Sequence, residues 1–418
     1  MKIDNIRARE ILDSRGNPTV EVDVHMGDIC AQSSSPSGAS VGSKEAIEIR
    51  DNDPKRFLGK GVLTAVSNVN IIINKALVGK NYNNQKDIDD LLLKLDSSDN
   101  KAILGANATI ATSSAILKAA AMFHKKPLFQ YINPRSNTLP IPQMNILNGG
   151  AHADNDLDIQ EFMIMPIGAN SIKHAIQMGA EIFHCLRQTL HNKNMSISIG
   201  DEGGFAPMIK HSEEALDLLM EAIQKAGYNP GSDVALALDV AASELYQDGK
   251  YLFKGIDKAL EKEQLVTLFE KLCKQFPIIS IEDPMDEQDT EGWQMITQSL
   301  GEKIQLVGDD VFVTNKKILQ QGVEQKIANA ILIKPNQVGT ITETEDAINY
   351  AQQHKYNCVM SHRSGETENT LIAHLAVAYN CNQIKTGGLC RTDRLCKYNE
   401  LIRIEETLGN HAKFAKIK

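Results

Sequence analysis

Features that mark secreted and membrane proteins are scarce in this sequence. Its 418 residues include seven cysteines, an odd number with no CxxC spacing, so a disulfide framework is not expected. No apolar run approaches the roughly 18 residues that a membrane span needs. The charged start MKIDNIRARE lacks the apolar stretch of a signal peptide. These absences predict a cytoplasmic protein.

Basic residues are neither in excess nor gathered in one place. The 44 basic and 53 acidic residues give a formal net charge of −9, without a long Lys/Arg run. Nucleic acid is therefore not expected as a primary partner. The sequence also lacks GxxxxGK[ST] and a GxGxxG turn after a strand, which argues against a P-loop or a dinucleotide fold. An anionic substrate would need cations concentrated at one place.

The N-terminal third contains strand, loop and helix patterns in that order. Alternating residues from Thr19 to Val24 indicate a half-buried strand. Small residues from Gln32 to Ser43 (QSSSPSGASVGS) predict a mobile surface loop. A helical pattern follows from about Lys44 to Met122. These patterns predict a small α+β domain with a mobile loop.

A proline-containing stretch from Tyr131 to Pro142 is typical of a linker, so we predict domains over 1–130 and 138–418. In the second domain, predicted helices at Ser212–Ala226, with Ser212 as N-cap, and at Asp257–Gln275 alternate with short apolar strands. The strands read VALALD, IISIED, IQLVGDD, AILIKP, NCVMSH and NQIKTGG. This alternation predicts an α/β barrel.

A charged residue ends each of these strands, at intervals of roughly one βα unit. In order they are Asp239, Glu282, Asp309, Lys334, His362 with Arg363, and Lys385. A single strand-end charge often only leaves the core for water, but six in register predict one site at the barrel rim. Converging carboxylates need a cation, and oxygen ligands suit Mg²⁺. The cationic half suits a small phosphorylated acid.

A second group of candidates precedes these strands. NGGAHADNDLDIQEFMIMP places His152, Gln160 and Glu161 around a glycine turn and an apolar strand. GDEGGFAP places Glu202 between glycines, where it is either a solvated turn residue or a carboxylate that approaches a ligand.

Several longer motifs carry a family resemblance. They are SGASxGxxEA at Ser37–Ala46, NGGxHAxN, QEFM, GDEGG, SIEDP, DDxxVTN, ILIKxNQxGT, SHRSGET and QIKTG. In this order, from Asp13 to Leu401, they resemble the enolase family, and the DIQEFM context is similar to bacterial members. The resemblance implies a TIM-like (α/β)8 barrel of the enolase type after a smaller α+β domain. It also implies Mg²⁺-dependent, reversible dehydration of 2-phospho-D-glycerate to phosphoenolpyruvate in glycolysis and gluconeogenesis.

The resemblance also implies a role for each candidate residue. The ligands of a first, conformational Mg²⁺ would be Asp239, Glu282 and Asp309, and Ser40 would hold a second, catalytic Mg²⁺. Lys334 would be the base and Glu202 the acid. Substrate contacts would come from Gln160, Arg363, Ser364 and Lys385, with His152, Glu161 and His362 lining the site. We expect a lowered pKa for Lys334, from adjacent Mg²⁺ and Lys385, and a raised pKa for Glu202, from neighbouring carboxylates such as Glu161.

The sequence departs from the family pattern at three places. Val41 stands where Thr is usual, Asn369 where Asp is usual, and Gly388-Leu389 where Ala-Pro is usual. Two alternatives therefore stay open: another acid dehydratase of the same superfamily, and a catalytically weakened relative that acts as a scaffold.

The resemblance also bears on partners and location. It implies a homodimer, while some bacterial members are octamers. Family members are reported on cell surfaces and in RNA-degrading assemblies, but no residue pattern here predicts either.

Overall fold

The computed structural model describes residues 1–39 and 42–417. Ser40 and Val41 of the predicted loop lie outside the described residues, as does Lys418. The strands are β1 Asn5–Leu12, β2 Pro18–Met26, β3 Ile29–Ser34, β4 Thr138–Leu139, β5 Ile141–Asn148, β6 Glu161–Met165, β7 Ala235–Asp239, β8 Tyr246–Gln247, β9 Lys250–Phe253, β10 Lys258–Leu260, β11 Ile278–Glu282, β12 Gln305–Gly308, β13 Ala330–Ile333, β14 Asn357–Ser361, β15 Asn382–Lys385 and β16 Lys413–Phe414.

The helices follow the same chain order. They are α1 Leu63–Ser67, α2 Asn74–Leu77, α3 Gln85–Asp96, α4 Ala106–Phe123, α5 Leu128–Ile132, α6 Ile172–Asn192, α7 Ser212–Lys225, α8 Lys262–Gln275, α9 Thr290–Leu300, α10 Lys316–Gln325, α11 Ile341–Gln353, α12 Leu371–Ala378 and α13 Thr392–Leu408.

The N-terminal part is an antiparallel sheet, β1-β2-β3, packed against α4. Val20, Val22 and Val24 alternate along β2 and are fully buried, as the sequence pattern predicted. Two predictions need correction. Gln32 to Ser34 belong to β3 rather than to the loop, and the α-helical pattern begins only at Leu63. The preceding segment is irregular because Gly59 and Gly61 interrupt it and Asn52 has a left-handed backbone.

Eight strands of the described residues close into a barrel in the order β11-β12-β13-β14-β15-β5-β6-β7. The predicted α/β barrel is confirmed, and its strands are buried, as in ALALD of β7 and AILI of β13. One strand differs from the parallel pattern: β6 is antiparallel to both β5 and β7. Its first residue, Glu161, pairs with Asp239, the last residue of β7. Glu161 therefore lies at the rim where the parallel strands end.

Two helices of the barrel start differently from the prediction. The N-cap of α7 is His211 rather than Ser212, and no side-chain capping bond forms there; Gly227, with φ of 87°, follows its end. The helix expected from Asp257 begins at Lys262, because residues 258–260 pair with β9. Glu261 and Gln264 form a capping box at that start. Over 1–39 and 42–417, no helix combines the length and apolar character that a membrane crossing requires.

Candidate active site

Lys385, the last residue of β15, lies among three of the carboxylates predicted to belong to the site. Its Nζ is 2.7 Å from Asp239 Oδ2, 2.9 Å from both oxygens of Glu282 and 3.3 Å from Glu161 Oε1. Burial lowers the pKa of Lys385, but these carboxylates outweigh burial and raise the pKa well above its usual value. The structure thus brings cationic and anionic strand ends into one buried cluster.

Lys334 follows β13 and forms a close ion pair with Asp309. Burial lowers the pKa of Lys334, but attraction to carboxylates, first Asp309 and then Glu282, raises it overall. The lowering expected from the sequence was attributed to Mg²⁺ and Lys385, so the carboxylates of the protein act in the opposite direction. Gln337 holds the other oxygen of Asp309 through a 3.0 Å hydrogen bond from Nε2. Thr314 joins this group, since its hydroxyl accepts from Lys334 N at 2.8 Å.

Asp283 and Asp310, to which the sequence analysis assigned no role, complete an acidic group with Asp309. Asp283 has a left-handed backbone, φ of 41°, and its carboxylate accepts from Asp309 N at 2.8 Å and Asp310 N at 3.0 Å. Oxygens of Asp283, Asp309 and Asp310 lie within 4.8 Å of one another. Burial, and then repulsion from Asp309, raises the pKa of Asp310 to about 7. The sequence signal for Asp283 is its position directly after the strand IISIE.

These carboxylates fit a hard divalent cation. Asp239, Glu282 and Asp309 are each at most 6% exposed, and they offer only oxygen ligands, which Mg²⁺ prefers. Asp309 belongs to the group with Asp283 and Asp310, whereas Asp239 and Glu282 share the Lys385 ammonium. Among the described residues, Gln160 Oε1 and Glu161 Oε2 are buried without a hydrogen-bond partner, so they are available to a ligand.

Glu202 lies between two histidines and beside Glu161. His362 Nε2 is 3.4 Å and His152 Nδ1 is 3.8 Å from Glu202 Oε2. Burial raises the pKa of Glu202, but the two histidines outweigh burial and lower it, opposite to the expected direction. Burial and repulsion from Glu202 raise the pKa of Glu161 instead. The two neighbouring carboxyls therefore have pKa values shifted in opposite directions, with the higher pKa on Glu161.

His362 is held in a fixed orientation by Arg394, which the sequence reading also missed. Arg394 Nη1 lies against His362 Nδ1 and donates to Arg363 O at 2.6 Å, and Nη2 donates to Ser364 O at 2.6 Å. Arg394 is fully buried. Burial lowers the pKa of His362 to about 4, so this imidazole is neutral at pH 7.

The predicted loop reaches this site from the N-terminal part. Ala39 N donates to Ser364 Oγ at 2.6 Å, and Ser37 and Gly365 exchange two backbone hydrogen bonds of 2.8 Å. Up to Ala39 the loop is thus docked on the residues that follow β14. Ser40, the predicted ligand of a second ion, comes directly after this docked segment and lies outside the described residues.

One pocket at the rim contains nearly all the predicted site residues. Its lining comprises His152, Gln160, Glu161, Glu202, Asp239, Ala241, Asp283, Asp309, Asp310, Lys334, Ser361, His362, Arg363, Ser364 and Lys385. Glu282 reaches the same cluster through Lys385.

Family models account for nearly the whole chain. Residues 3–132 match the enolase N-terminal domain, and residues 136–418 match the enolase C-terminal TIM barrel domain. The chain belongs to the enolase family. Enolases of the Lens and Philadelphia 1 strains of Legionella pneumophila are 56% identical to it over 408 residues, which is 97% of each chain. This enolase-family chain is therefore an enzyme, a hydro-lyase with phosphopyruvate hydratase activity.

Proposed function

We propose that the rim pocket interconverts 2-phospho-D-glycerate and phosphoenolpyruvate, with two Mg²⁺ ions per site. The observation that carries the proposal is the meeting of Lys334, Lys385 and Glu202 with buried carboxylates in one pocket. Removal of the C2 proton places extra negative charge on the substrate carboxylate, and a site for this reaction must stabilise that charge. The cationic side chains and the acidic ion-binding groups meet this requirement together.

Asp239, Glu282 and Asp309 would hold the first ion, and Ser40 would contribute to the second. When bound, the ions would supply electrostatic stabilisation of the carboxylate that gains charge during proton removal. Lys385 adds a fixed positive charge beside the same group, since it lies between Asp239 and Glu282.

Lys334 would remove the C2 proton, and Glu202 would protonate the departing hydroxyl. Lys334 must be neutral to act as base, so its attraction to Asp309 must weaken before the reaction, which happens when that carboxylate is engaged elsewhere. Glu202 needs a proton to act as acid, so its lowered pKa must rise when the substrate binds, and Glu161 beside it is the carboxyl from which that proton would come. His152 and His362 keep Glu202 in position between these groups.

Substrate phosphate would bind Arg363 and Ser364, with Gln160 placed to contact the substrate. Arg363 lies 4% exposed in the pocket lining, and a guanidinium suits the planar array of phosphate oxygens. Together with Lys385, these groups would provide the local cation concentration that a chain of net charge −9 needs for an anionic substrate.

Isotope exchange separates the two proton transfers. Lys334→Ala should abolish exchange of the C2 proton with solvent deuterium, whereas Glu202→Gln should block net dehydration yet retain exchange, because its role follows proton removal. Lys316→Ala, a change at a half-exposed lysine, serves as the control. Exchange at the wild-type rate in Lys334→Ala would contradict the assignment of the base.

Absorbance at 240 nm with and without Mg²⁺ tests the overall reaction. Phosphoenolpyruvate formation that depends on Mg²⁺ would support the proposal over another acid dehydratase and over an inactive scaffold. A wild-type chain that binds 2-phosphoglycerate but never forms phosphoenolpyruvate would favour the scaffold. We further infer a division into domains at 1–130 and 138–418, a homodimer, and a cytoplasmic location.

A further inference from the structure

Glu45, a residue of the N-terminal part, is joined to the candidate phosphate ligand Arg363. Glu45 Oε2 accepts from Arg363 Nη1 at 2.8 Å, and Oε1 accepts from Nη2 at 3.1 Å. The two side chains are 5% and 3% exposed, and 318 residues separate them in the chain. Such a two-point contact fixes both the position and the plane of a guanidinium.

The same carboxylate organises the segment that follows the predicted loop. Gly42 N donates to Glu45 Oε1 at 3.1 Å, and Glu45 N donates back to Gly42 O at 3.0 Å. Gln337 Nε2 donates to Glu45 Oε1 at 3.2 Å and to Asp309 Oδ1 at 3.0 Å. Glu45 thus forms hydrogen bonds with Gly42 at the end of the loop, with Arg363 and with Gln337, which also contacts the candidate metal ligand Asp309.

A buried ion pair is weak evidence for a stabilising role. Removing two charges from water costs several kcal/mol per ion, and the attraction between them often only offsets that cost. The contact is better explained by its place, because Arg363 and Asp309 both line the pocket. Asn336 supports the same orientation, since its Oδ1 accepts from Arg363 Nη1 at 3.1 Å.

We propose that Glu45 is a positioning residue that orients Arg363 for the substrate phosphate. Through Glu45, the segment that follows the loop contributes to phosphate binding. This inference rests on the function proposed above. The phosphate does not react, so its contacts are equal in the bound substrate and in the transition state. Loss of the orientation should therefore raise KM and leave kcat nearly unchanged.

The opposite role predicts the opposite result. If the Glu45 carboxylate competed with phosphate for Arg363, removing its charge would tighten phosphate binding. The sign of the change in affinity therefore decides between positioning and competition.

The experiment measures KM, kcat and the Kd of phosphoglycolate for Glu45→Gln, Glu45→Ala and Glu45→Asp. We expect about a tenfold rise in KM and in the Kd for Glu45→Ala, with kcat within about twofold of wild type. Glu45→Gln keeps one acceptor and should show a smaller rise. Glu45→Asp, with a side chain too short for the same contact, should resemble Glu45→Ala and tests the idea if the alanine variant fails to fold.

Glu48→Gln is the matched control. Glu48 lies three residues further on and pairs with Arg50 and Ser37 instead. Its KM and phosphoglycolate Kd should stay within about twofold of wild type. Unchanged or tighter phosphoglycolate binding in folded Glu45→Gln and Glu45→Asp would overturn the inference. Absence of wild-type turnover would instead overturn the proposed function, because the ratio of Kd values is read without turnover.

Discussion

Asn369 stands at a position where the family resemblance leads us to expect Asp. Its contact with Lys118 therefore lacks a carboxylate that could form an ion pair with this lysine. Lys118 of α4 donates from Nζ to Asn369 Oδ1 at 2.6 Å and to Gln32 O at 3.1 Å. Asn369 Nδ2 in turn donates to Ser33 Oγ at 2.8 Å and Ser34 O at 3.1 Å. The amide therefore joins the barrel to β3 and α4, but it cannot neutralise the ammonium.

Burial lowers the pKa of Lys118 from 10.5 to about 8. Repulsion from Lys397 acts in the same direction, while Glu21 and Glu400 oppose it. Below pH 8 the lysine is charged in both the folded and the unfolded states. Between pH 8 and 10.5 the unfolded state binds more protons, so the free energy of unfolding rises with pH across this window.

The lowered pKa of Lys118 sets an upper limit on the change in the free energy of unfolding between pH 8 and 10.5. The difference between a pKa of 10.5 and one of about 8 corresponds to about 3 kcal/mol of unfolding free energy, and the partial exposure of Lys118 reduces this to about 1–2 kcal/mol. Asn369→Asp should restore an ion pair and remove the rise. The change also removes two donated hydrogen bonds, each worth about 1 kcal/mol, although the Ser33 hydroxyl can rotate to donate. We expect a net gain of about 1 kcal/mol at pH 7 that shrinks toward pH 10.

Urea unfolding of wild type and Asn369→Asp at pH 7, 8, 9 and 10 measures this gain. Lys118→Met is the control, because it removes the titrating group and keeps most of the apolar stem. The wild type should gain stability with pH relative to both variants. If the differences from wild type stay constant across pH 7 to 10, Lys118 does not titrate in the folded state and the reasoning fails.

Two further substitutions test close packing and the contact between the two parts of the chain. In Gly388→Ala, which introduces the residue that the family pattern has there, the added Cβ would lie 2.5 Å from Gly203 O, so the backbone after β15 must shift and the free energy of unfolding in urea should fall by about 1–3 kcal/mol; unchanged stability would mean that the loop adapts. Asp89→Ala removes the acceptor of Thr342 N and Oγ1 at the start of α11 and should cost about 3 kcal/mol in urea unfolding, against under about 1 kcal/mol for Asp90→Ala, a change at a half-exposed aspartate; equal losses would contradict the role of Asp89.

The positions of the charged residues at the rim could be predicted from the sequence for two reasons. Parallel strands end at the same rim of a barrel, and a charged residue follows each apolar run in the sequence. Their pairing could not be predicted. Lys385 contacts Asp239 and Glu282, which lie 146 and 103 residues away in the chain. Such contacts depend on barrel register, which apolar runs buried on both faces do not specify.

The side chains of the protein shift two pKa values in directions that the sequence did not predict. Lys334 was expected beside Mg²⁺ and Lys385, whereas the charged side chain paired with it is Asp309. Glu202 was assigned carboxylate neighbours, but His152 and His362 also lie beside it and lower its pKa. The direction of a pKa shift depends on the sum of burial, nearby charges and hydrogen bonds, which a pattern of strand ends does not give.

The inverted direction of β6 explains how Glu161 comes to share the site with Glu202. Glu161 is the first of five residues in the strand, and one end of such a strand lies about 13 Å from the other at about 3.3 Å per residue. In a parallel strand the first residue would lie at the opposite end of the barrel, far from the rim. Because β6 runs antiparallel, Glu161 meets Asp239 and lies 3.3 Å from Lys385 Nζ. The position of Glu161 at the rim therefore follows from the direction of β6, and a short apolar run in the sequence does not reveal strand direction.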